Sequence, residues 1–293
     1  MSTPSVAGGI RPEPMRTTTP AGVVVRTYIG GQIDTLNQAI ARMQRYEPGS
    51  VGLTRTIIHR IRTVIRGYRR LFADPPYGGP QLDRLLTDLK HAEDLEALRV
   101  HFADRFDQLA LTVAEYPRWH RTLRAEQDAA YRQIDRISTQ TWVAALLGHV
   151  RVFADRAELT PDGREPVTSL GETLTRAKHR LLDTYAKLHY AADLSAARDE
   201  IRRAARHARY MAEAVRPALT WVADDVIVPV AGLERLLRQH RQATIAENWL
   251  QRLPGADRAD RLTATLLQLE RQQLQQLGEE IDQIAAAMIG LWR

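Results

Sequence analysis

The sequence predicts an all-α protein, and three observations support this. Leu, Ala, Arg and Gln, which favour helix, are abundant, whereas aromatic residues make up only 6% of the chain. Apolar residues recur at helical spacing, for example Ile33, Leu36 and Ile40. No stretch shows a convincing β-strand pattern. With 44% hydrophobic residues the chain can also build a packed core, so it is not a disordered protein.

Turn-forming residues divide the chain. Residues 1–20, rich in Pro, Thr, Ser and Gly, are predicted to be a flexible tail. Ser50 follows Pro48-Gly49 and is expected to cap the second helix. Residues 74–80 form the clearest stop, and residues 160–166 are the best boundary between two halves, 21–160 and 161–293. The predicted helices cover about residues 21–46, 54–72, 81–91, 92–115, 118–137, 139–157, 167–191, 194–215, 225–253 (with an interruption or kink at Pro229) and 258–292.

The second predicted helix, residues 54–72, carries an unusual charge pattern. Steps of three and four residues place its basic side chains along one side, and no Asp or Glu occurs between residues 48 and 73. Like charges at this spacing weaken a helix by roughly 0.2–0.5 kcal/mol per pair. We therefore expect something anionic to cover this face. The basic residues at this spacing are Arg55, His59, Arg62, Arg66 and Arg69.

A second arginine-rich helix repeats this pattern. Asp199, Arg202, Arg206 and Arg209 stand 140 positions after His59, Arg62, Arg66 and Arg69. Two copies in equal register indicate an internal duplication.

Charge and composition narrow the function classes. The formal net charge is +6 and the pI is near 9.8, with the excess concentrated locally, so a polyanion is the expected partner. The absence of cysteine excludes disulfides and fits a cytoplasmic protein. No secretory signal is apparent, and the longest apolar run, residues 142–147, is far short of the ~20 residues that cross a bilayer.

Catalytic and metal-binding patterns are missing from the sequence. The histidines show no shared metal-ligand spacing, and there is neither a phosphate-cradling glycine loop nor a nucleophile elbow. We therefore expect a binding protein without metal or cofactor and not an enzyme.

The stretch IHRIRTVIRGYRRLF resembles the signature of CHAD domains (conserved-histidine α-helical domains). His59, Arg62, Arg66 and Arg69 match that signature, while Gly67 replaces an arginine. In the segment that follows, Glu93 also replaces an arginine of the family pattern.

The second half resembles the family's second repeat. Arg202, Arg203, Arg206, Arg209 and Tyr210 are in pattern, and His240 fits a later helix of the repeat. Asp199 departs from it, because the signature has a histidine there. Asp199 is expected either to orient Arg202 or Arg203 or to weaken this half of the site.

The resemblance implies two pseudo-symmetric four-helix-bundle halves with a basic groove or channel between them. It further implies non-catalytic binding of inorganic polyphosphate, whose oxygens match the guanidinium fork. His59, with an ordinary pKa near 6.5, is expected to gain a proton beside phosphate, so that binding tightens as pH falls. The predicted site residues are Arg55, His59, Arg62, Arg66, Arg69, Arg70, Arg202, Arg203, Arg206, His207, Arg209, Tyr210 and His240.

Three alternatives remain open on the sequence. A nucleic-acid binder is one, although Tyr68 is the single aromatic residue interleaved in the first basic helix as a stacking platform. An enzyme acting on phosphoanhydrides is another. A degenerate CHAD-like scaffold for protein interactions is the third, suggested by the departures at Gly67, Glu93 and Asp199.

Overall fold

We describe the protein from a computed structural model, which covers residues 15–74 and 79–292. These residues form α-helices joined by short turns and 3-10 segments, and their β-type pairings are isolated bridges, Pro20 with Pro166 and Phe72 with Leu159. The all-α prediction is confirmed. The α-helices are α1 (Ala21–Gln44), α2 (Ser50–Gly67), α3 (Gly79–Asp88), α4 (Lys90–Gln108), α5 (Trp119–Ser138), α6 (Thr141–Arg156), α7 (Pro161–Arg164), α8 (Gly171–Ala186), α9 (Leu194–Val215), α10 (Thr220–Gln251), α11 (Gly255–Arg258) and α12 (Arg261–Trp292).

Several helix ends differ from their predicted positions. The basic helix α2 ends at Gly67 and passes into the 3-10 turn Arg69–Leu71, so Arg69 and Arg70 leave the α-helix. Helix α10 starts earlier than expected and runs through Pro229 as one element. Its flanking residues Val226 and Val230 are fully buried, and their packing offsets the hydrogen bond that the proline cannot donate.

The cap of α2 also differs from the prediction. Ser50 is the first helical residue, and its buried hydroxyl has no hydrogen-bond partner among the described residues. Glu96 of α4 accepts hydrogen bonds from the backbone N–H groups of Gly49 (2.8 Å) and Gly52 (3.2 Å) instead. A carboxylate from another helix thus satisfies the free donors and complements the positive end of the helix dipole.

Helix α9 lies at the centre of the packing, against α1, α2, α8 and α10. Helix α10 also contacts α4 and α12, while α1 packs against α2 and α6. Buried apolar side chains from α1 to α12 belong to one hydrophobic cluster, which includes residues of both predicted halves. The pseudo-two-fold relation between the halves stays a prediction. Every helix in the described ranges is too short or too polar to cross a bilayer.

The connection between the predicted halves is part of this packing. Its backbone pairs with the start of α1, because the Ala21 N–H donates to the Glu165 carbonyl (2.8 Å) and the Val167 N–H to the Thr19 carbonyl (2.9 Å). A Cβ atom on Gly163 would lie only 2.1 Å from the Leu71 carbonyl oxygen, so glycine is required there. Most of the predicted tail (residues 1–14) and part of the predicted stop (residues 75–78) lie outside the described residues.

A buried ion-pair cluster joins α4 to α12. The carboxylate of Glu270 is fully buried and pairs with Arg105 Nε (2.7 Å) and His101 Nε2 (2.8 Å). These hydrogen bonds lower the pKa of Glu270 against the opposing effect of burial. The two elements are more than 160 residues apart in sequence, so the cluster ties distant parts of the chain together.

Replacing Glu270 should destabilise the fold strongly. In Glu270→Gln the buried Arg105 guanidinium loses its anionic partner, which costs about 3–5 kcal/mol. Urea unfolding followed by circular dichroism measures this. The neighbouring Arg271→Gln removes a surface ion pair with Glu247 and should cost less than about 1 kcal/mol. Equal effects of the two changes would contradict a stabilising role of the cluster.

Candidate functional site

Helices α2 and α9, the two arginine-rich helices, pack directly against each other. The Tyr68 hydroxyl donates a hydrogen bond to the Met211 carbonyl oxygen at 2.9 Å. A Cβ atom on Gly67 would lie 2.1 Å from Met211 Sδ. The glycine at this position, which departs from the family signature, therefore provides the space that the Met211 side chain occupies.

A cavity of about 890 Å³ opens beside this contact, with α8 as its third side. Side chains of both arginine-rich helices and of α8 line it, so the structure brings Arg66 and Arg206 to one cavity. Six cationic side chains and two carboxylates line it: Arg62, Arg66, Arg180, Lys187, Arg203 and Arg206 against Asp183 and Glu200, together with His59, His207 and Tyr210.

A second cavity of about 530 Å³ adjoins the first, and the two share Arg66, Gly67, Arg180 and His207. Arg69, Arg70 and Arg176 extend the positive lining there, whereas Asp162 and Glu165 add negative charge. We call the residues that line these two adjoining cavities the basic groove.

Arg206 is a partly buried cation of the basic groove. It forms neither a hydrogen bond nor a salt bridge with any residue that the structure describes. Burial is the main cause that lowers its pKa; Tyr210 and Glu234 act in the opposite direction, and Arg241 adds to the lowering. An arginine that is held in a partly desolvated position without a partner is a strong candidate for binding an anion.

Carboxylates from other helices cover part of the α2 face that the sequence leaves without acids. Asp83 of α3 bridges Arg62 and Arg66, the latter at 2.7 Å. Glu213 of α9 accepts from Arg60 Nε at 2.9 Å. The protein itself thus supplies some of the anionic cover that the sequence led us to expect from outside.

Nine of the thirteen predicted site residues line the basic groove: His59, Arg62, Arg66, Arg69, Arg70, Arg203, Arg206, His207 and Tyr210. The other four, Arg55, Arg202, Arg209 and His240, lie outside it.

The three arginines outside the groove are engaged in ion pairs. Arg55 pairs with Glu93 and donates to the Leu86 carbonyl (3.1 Å). Arg202 pairs with Asp199 (3.1 Å), whereas Arg203 faces Glu200, so Arg202 is the partner of Asp199. Arg209 pairs with Glu213 (3.3 Å) and Glu234 (2.9 Å). Burial lowers the pKa of both Arg55 and Arg202 to about 10.

His240 lies in a different cavity, of about 710 Å³, between α4, α5, α9 and α10. Its Nε2 is 3.0 Å from Arg198 Nη1, and burial together with this cation lowers the pKa of His240 to about 4.

Sequence reasoning missed the contribution of α8 and of Lys187, the residue that follows it. Arg176, Arg180 and Lys187 line the basic groove. Their signal was present, since Thr173, Arg176, Arg180, Thr184 and Lys187 recur every three or four residues along one side of a helix. Without the tertiary structure this stripe is indistinguishable from a solvated helix face.

The histidines of the groove are neutral near pH 7 in the unliganded protein. Burial first, and then the guanidinium groups of Arg206, Arg55 and Arg62, lower the pKa of His59 to about 3. Burial and Arg180 likewise lower the pKa of His207. The expected tightening of binding at low pH therefore requires a bound phosphate to raise the pKa of His59 substantially.

Two tyrosine rings at the groove are unavailable for stacking. Tyr210 is 2% exposed, and its ring centroid lies 5.4 Å from Arg60 Cζ and 5.1 Å from Arg209 Cζ. Tyr68 is equally buried. In the described part of the chain no group of three or more His, Cys, Asp or Glu side chains could hold a metal ion.

The groove and helical packing define a class, an all-α protein with a cation-lined groove between helices. A family model described as "CHAD domain" matches residues 27–251 of this chain. The chain belongs to the CHAD family, which confirms the resemblance noted in its sequence.

Two solved structures share the fold. PptA from Streptomyces chartreusis superimposes with a TM-score of 0.70 at 20% identity, over 91% of this chain and 99% of that one. The CHAD domain from the plant Ricinus communis superimposes with a TM-score of 0.71 at 15% identity, over 95% of this chain and 94% of that one. Among curated proteins, none matches the chain.

The depressed pKa of His59 predicts a pH-dependent stability. The pKa is about 3 in the folded chain and about 6.5 unfolded, so unfolding takes up a proton within that window. The contribution of His59 is complete above about pH 6.5 and decreases as pH falls, by up to ~1.4 kcal/mol per pH unit. Urea unfolding at pH values between about 7 and 4 should therefore show a shallower pH dependence for His59→Gln.

The exposed His149 of α6 provides the control for this experiment. His149→Gln should leave the pH dependence of unfolding as it is in the parent protein. A His59→Gln variant with an unaltered slope would contradict the burial of a neutral imidazole.

Proposed function

We propose that the protein binds inorganic polyphosphate in the basic groove, without catalysing a reaction on it. The observation that carries this proposal is the charge of the larger cavity, six cationic side chains against two carboxylates, with Arg206 unpaired among the described residues. Membership of the CHAD family supports the same ligand class. The cytoplasmic location expected from the lack of cysteine remains part of this proposal.

Guanidinium groups suit a chain of phosphates. Each keeps its charge and presents a planar fork of donors to phosphate oxygens. A charge-assisted hydrogen bond contributes about 1.5–3 kcal/mol net. Arg66 is half exposed despite its contact with Asp83, so its free donors can reach a ligand. The arginines come from α2, α8 and α9, so a polymer lying in the groove meets several of them in succession.

Nucleic acid is the weaker candidate for this groove. Proteins that bind single strands stack bases on aromatic side chains. The tyrosines at the groove, Tyr68 and Tyr210, are each 2% exposed. Phosphate contacts are therefore favoured over base contacts, which suits a ligand that consists of phosphate alone.

Removing two groove arginines should abolish most of the binding. Arg66→Gln/Arg206→Gln loses at least two charge-assisted contacts, which corresponds to roughly a hundredfold weaker affinity or more. Titration calorimetry with long-chain polyphosphate at two salt concentrations measures this. The salt dependence should also decrease, by about 0.7 in log–log slope per lost contact, by analogy with single-stranded nucleic acid.

The matched control is Arg132→Gln/Arg136→Gln, which removes the same charge from the exposed side of α5. It should keep binding within about threefold. Undiminished binding by the groove variant would favour the interpretation of the protein as a degenerate interaction scaffold.

Competition separates polyphosphate from nucleic acid. Polyphosphate held by the protein should resist displacement by single-stranded DNA or RNA at equal phosphate concentration and fixed salt, since the groove offers bases no exposed aromatic ring. Fluorescence anisotropy of a labelled polyphosphate reports the displacement. Equal displacement per phosphate would overturn the preference for polyphosphate.

A further inference from the structure

The basic groove meets the separate 710 Å³ cavity at a layer of ion pairs. Along α9, Asp199 lines the separate cavity, Arg202 follows one turn later, and Arg206 lines the groove. Arg202 is near both Arg206 and His59. Beyond the effect of burial, the Arg206 guanidinium lowers the pKa of Arg202, and the Arg202 guanidinium contributes to lowering the pKa of His59. The side chain of Arg202 therefore lies between the two spaces.

Three carboxylates hold three guanidinium groups in this layer, which we call the inner wall: Arg55, Glu93, Asp94, Asp199, Arg202 and Arg241. Arg241 of α10 donates to Asp94 of α4 (3.2 Å) and to Asp199 of α9 (3.4 Å). Asp199 also accepts from Arg202, at 3.1 Å. The wall thus crosslinks α4, α9 and α10 at the end of the groove.

The inner wall differs from the groove in its charge balance. Its arginines continue the line of cations along α2 and α9, because Arg55 precedes His59 by one turn and Arg202 precedes Arg206 by one turn. In the groove cations exceed acids, whereas in the wall each guanidinium already has a carboxylate. A phosphate chain that reaches the wall meets guanidinium groups whose donors are already engaged by carboxylates.

We propose that Asp94 and Asp199 close the inner end of the polyanion site and so limit how many phosphates the protein binds. Their carboxylates occupy the positions on Arg202 and Arg241 that phosphate oxygens would otherwise take. The groove is then blind at this end, and a long polyphosphate enters by its terminus. This inference rests on the proposed function of the groove.

Neutralising the two acids tests the inference. In Asp94→Asn/Asp199→Asn, Arg202 and Arg241 lose their carboxylate partners and become available, and the repulsion between these two carboxylates and phosphate disappears. Affinity for long-chain polyphosphate should rise about tenfold, and the log–log salt slope should steepen by about 0.7 for each phosphate gained. Affinity for tripolyphosphate, which the groove alone accommodates, should change less than about threefold. Calorimetry with the full-length chain measures both ligands.

Asp104→Asn/Asp107→Asn is the control. It removes the same charge from exposed positions on α4, the helix that carries Asp94. It should give no selective gain for the long chain. An equal gain in the control, or no gain in the wall variant while the parent protein binds, overturns the inference and leaves the proposed function standing. Absence of binding by the parent protein overturns the proposed function itself.

Thermal unfolding checks that each variant is folded. If the double variant does not fold, Asp199→Asn alone carries the test, since this side chain is 35% exposed and tolerates the change more readily. The logarithm of its affinity for long-chain polyphosphate should rise by about half as much as expected for the double variant. An unchanged affinity in this folded variant also overturns the inference.

Discussion

The neutralisation of the arginines of α2 is the constraint on which the rest of the structure depends. This helix has no acidic residue of its own, so like charges repel along it unless carboxylates arrive from elsewhere. Asp83, Glu93 and Glu213 provide them from three other helices. Each of these pairs fixes a neighbouring helix against α2. Asp83 serves both Arg62 and Arg66, so one carboxylate faces two cations there and the lining of the basic groove keeps an excess of positive charge.

The arginine charges of helix α9 are neutralised differently. It carries its own acids, and Asp199 and Glu213 engage Arg202 and Arg209 within one turn. Arg206 lies between these pairs and has no partner among the described residues. The distribution of acids thus sorts the arginines into two groups: those that hold helices together and those that remain available to a ligand. A guanidinium already engaged by a buried carboxylate contributes little to anion binding, because its partner must first be displaced.

The structure explains the three departures from the family signature, at Gly67, Glu93 and Asp199, by the contacts that these residues make. Gly67 gives room to Met211 where α2 and α9 approach closely. Glu93 neutralises Arg55, and Asp199 bridges Arg202 and Arg241. All three therefore serve packing or charge balance at the contact between α2, α4, α9 and α10. Glu93 and Asp199 lie outside the lining of the larger cavity, whereas Gly67 is part of that lining.

The sequence by itself determined the all-α class, the CHAD family and the two arginine stripes, because helical periodicity and signature spacing are local properties of the chain. It could not determine which arginines face the groove: Arg55, Arg202 and Arg209 share the spacing of Arg62 and Arg206 but end in ion pairs. Nor could it show that α8 contributes to the site. Only the tertiary structure decided these points, since pairing of charges depends on distances between side chains that are far apart in the chain, and such distances are set by helix packing.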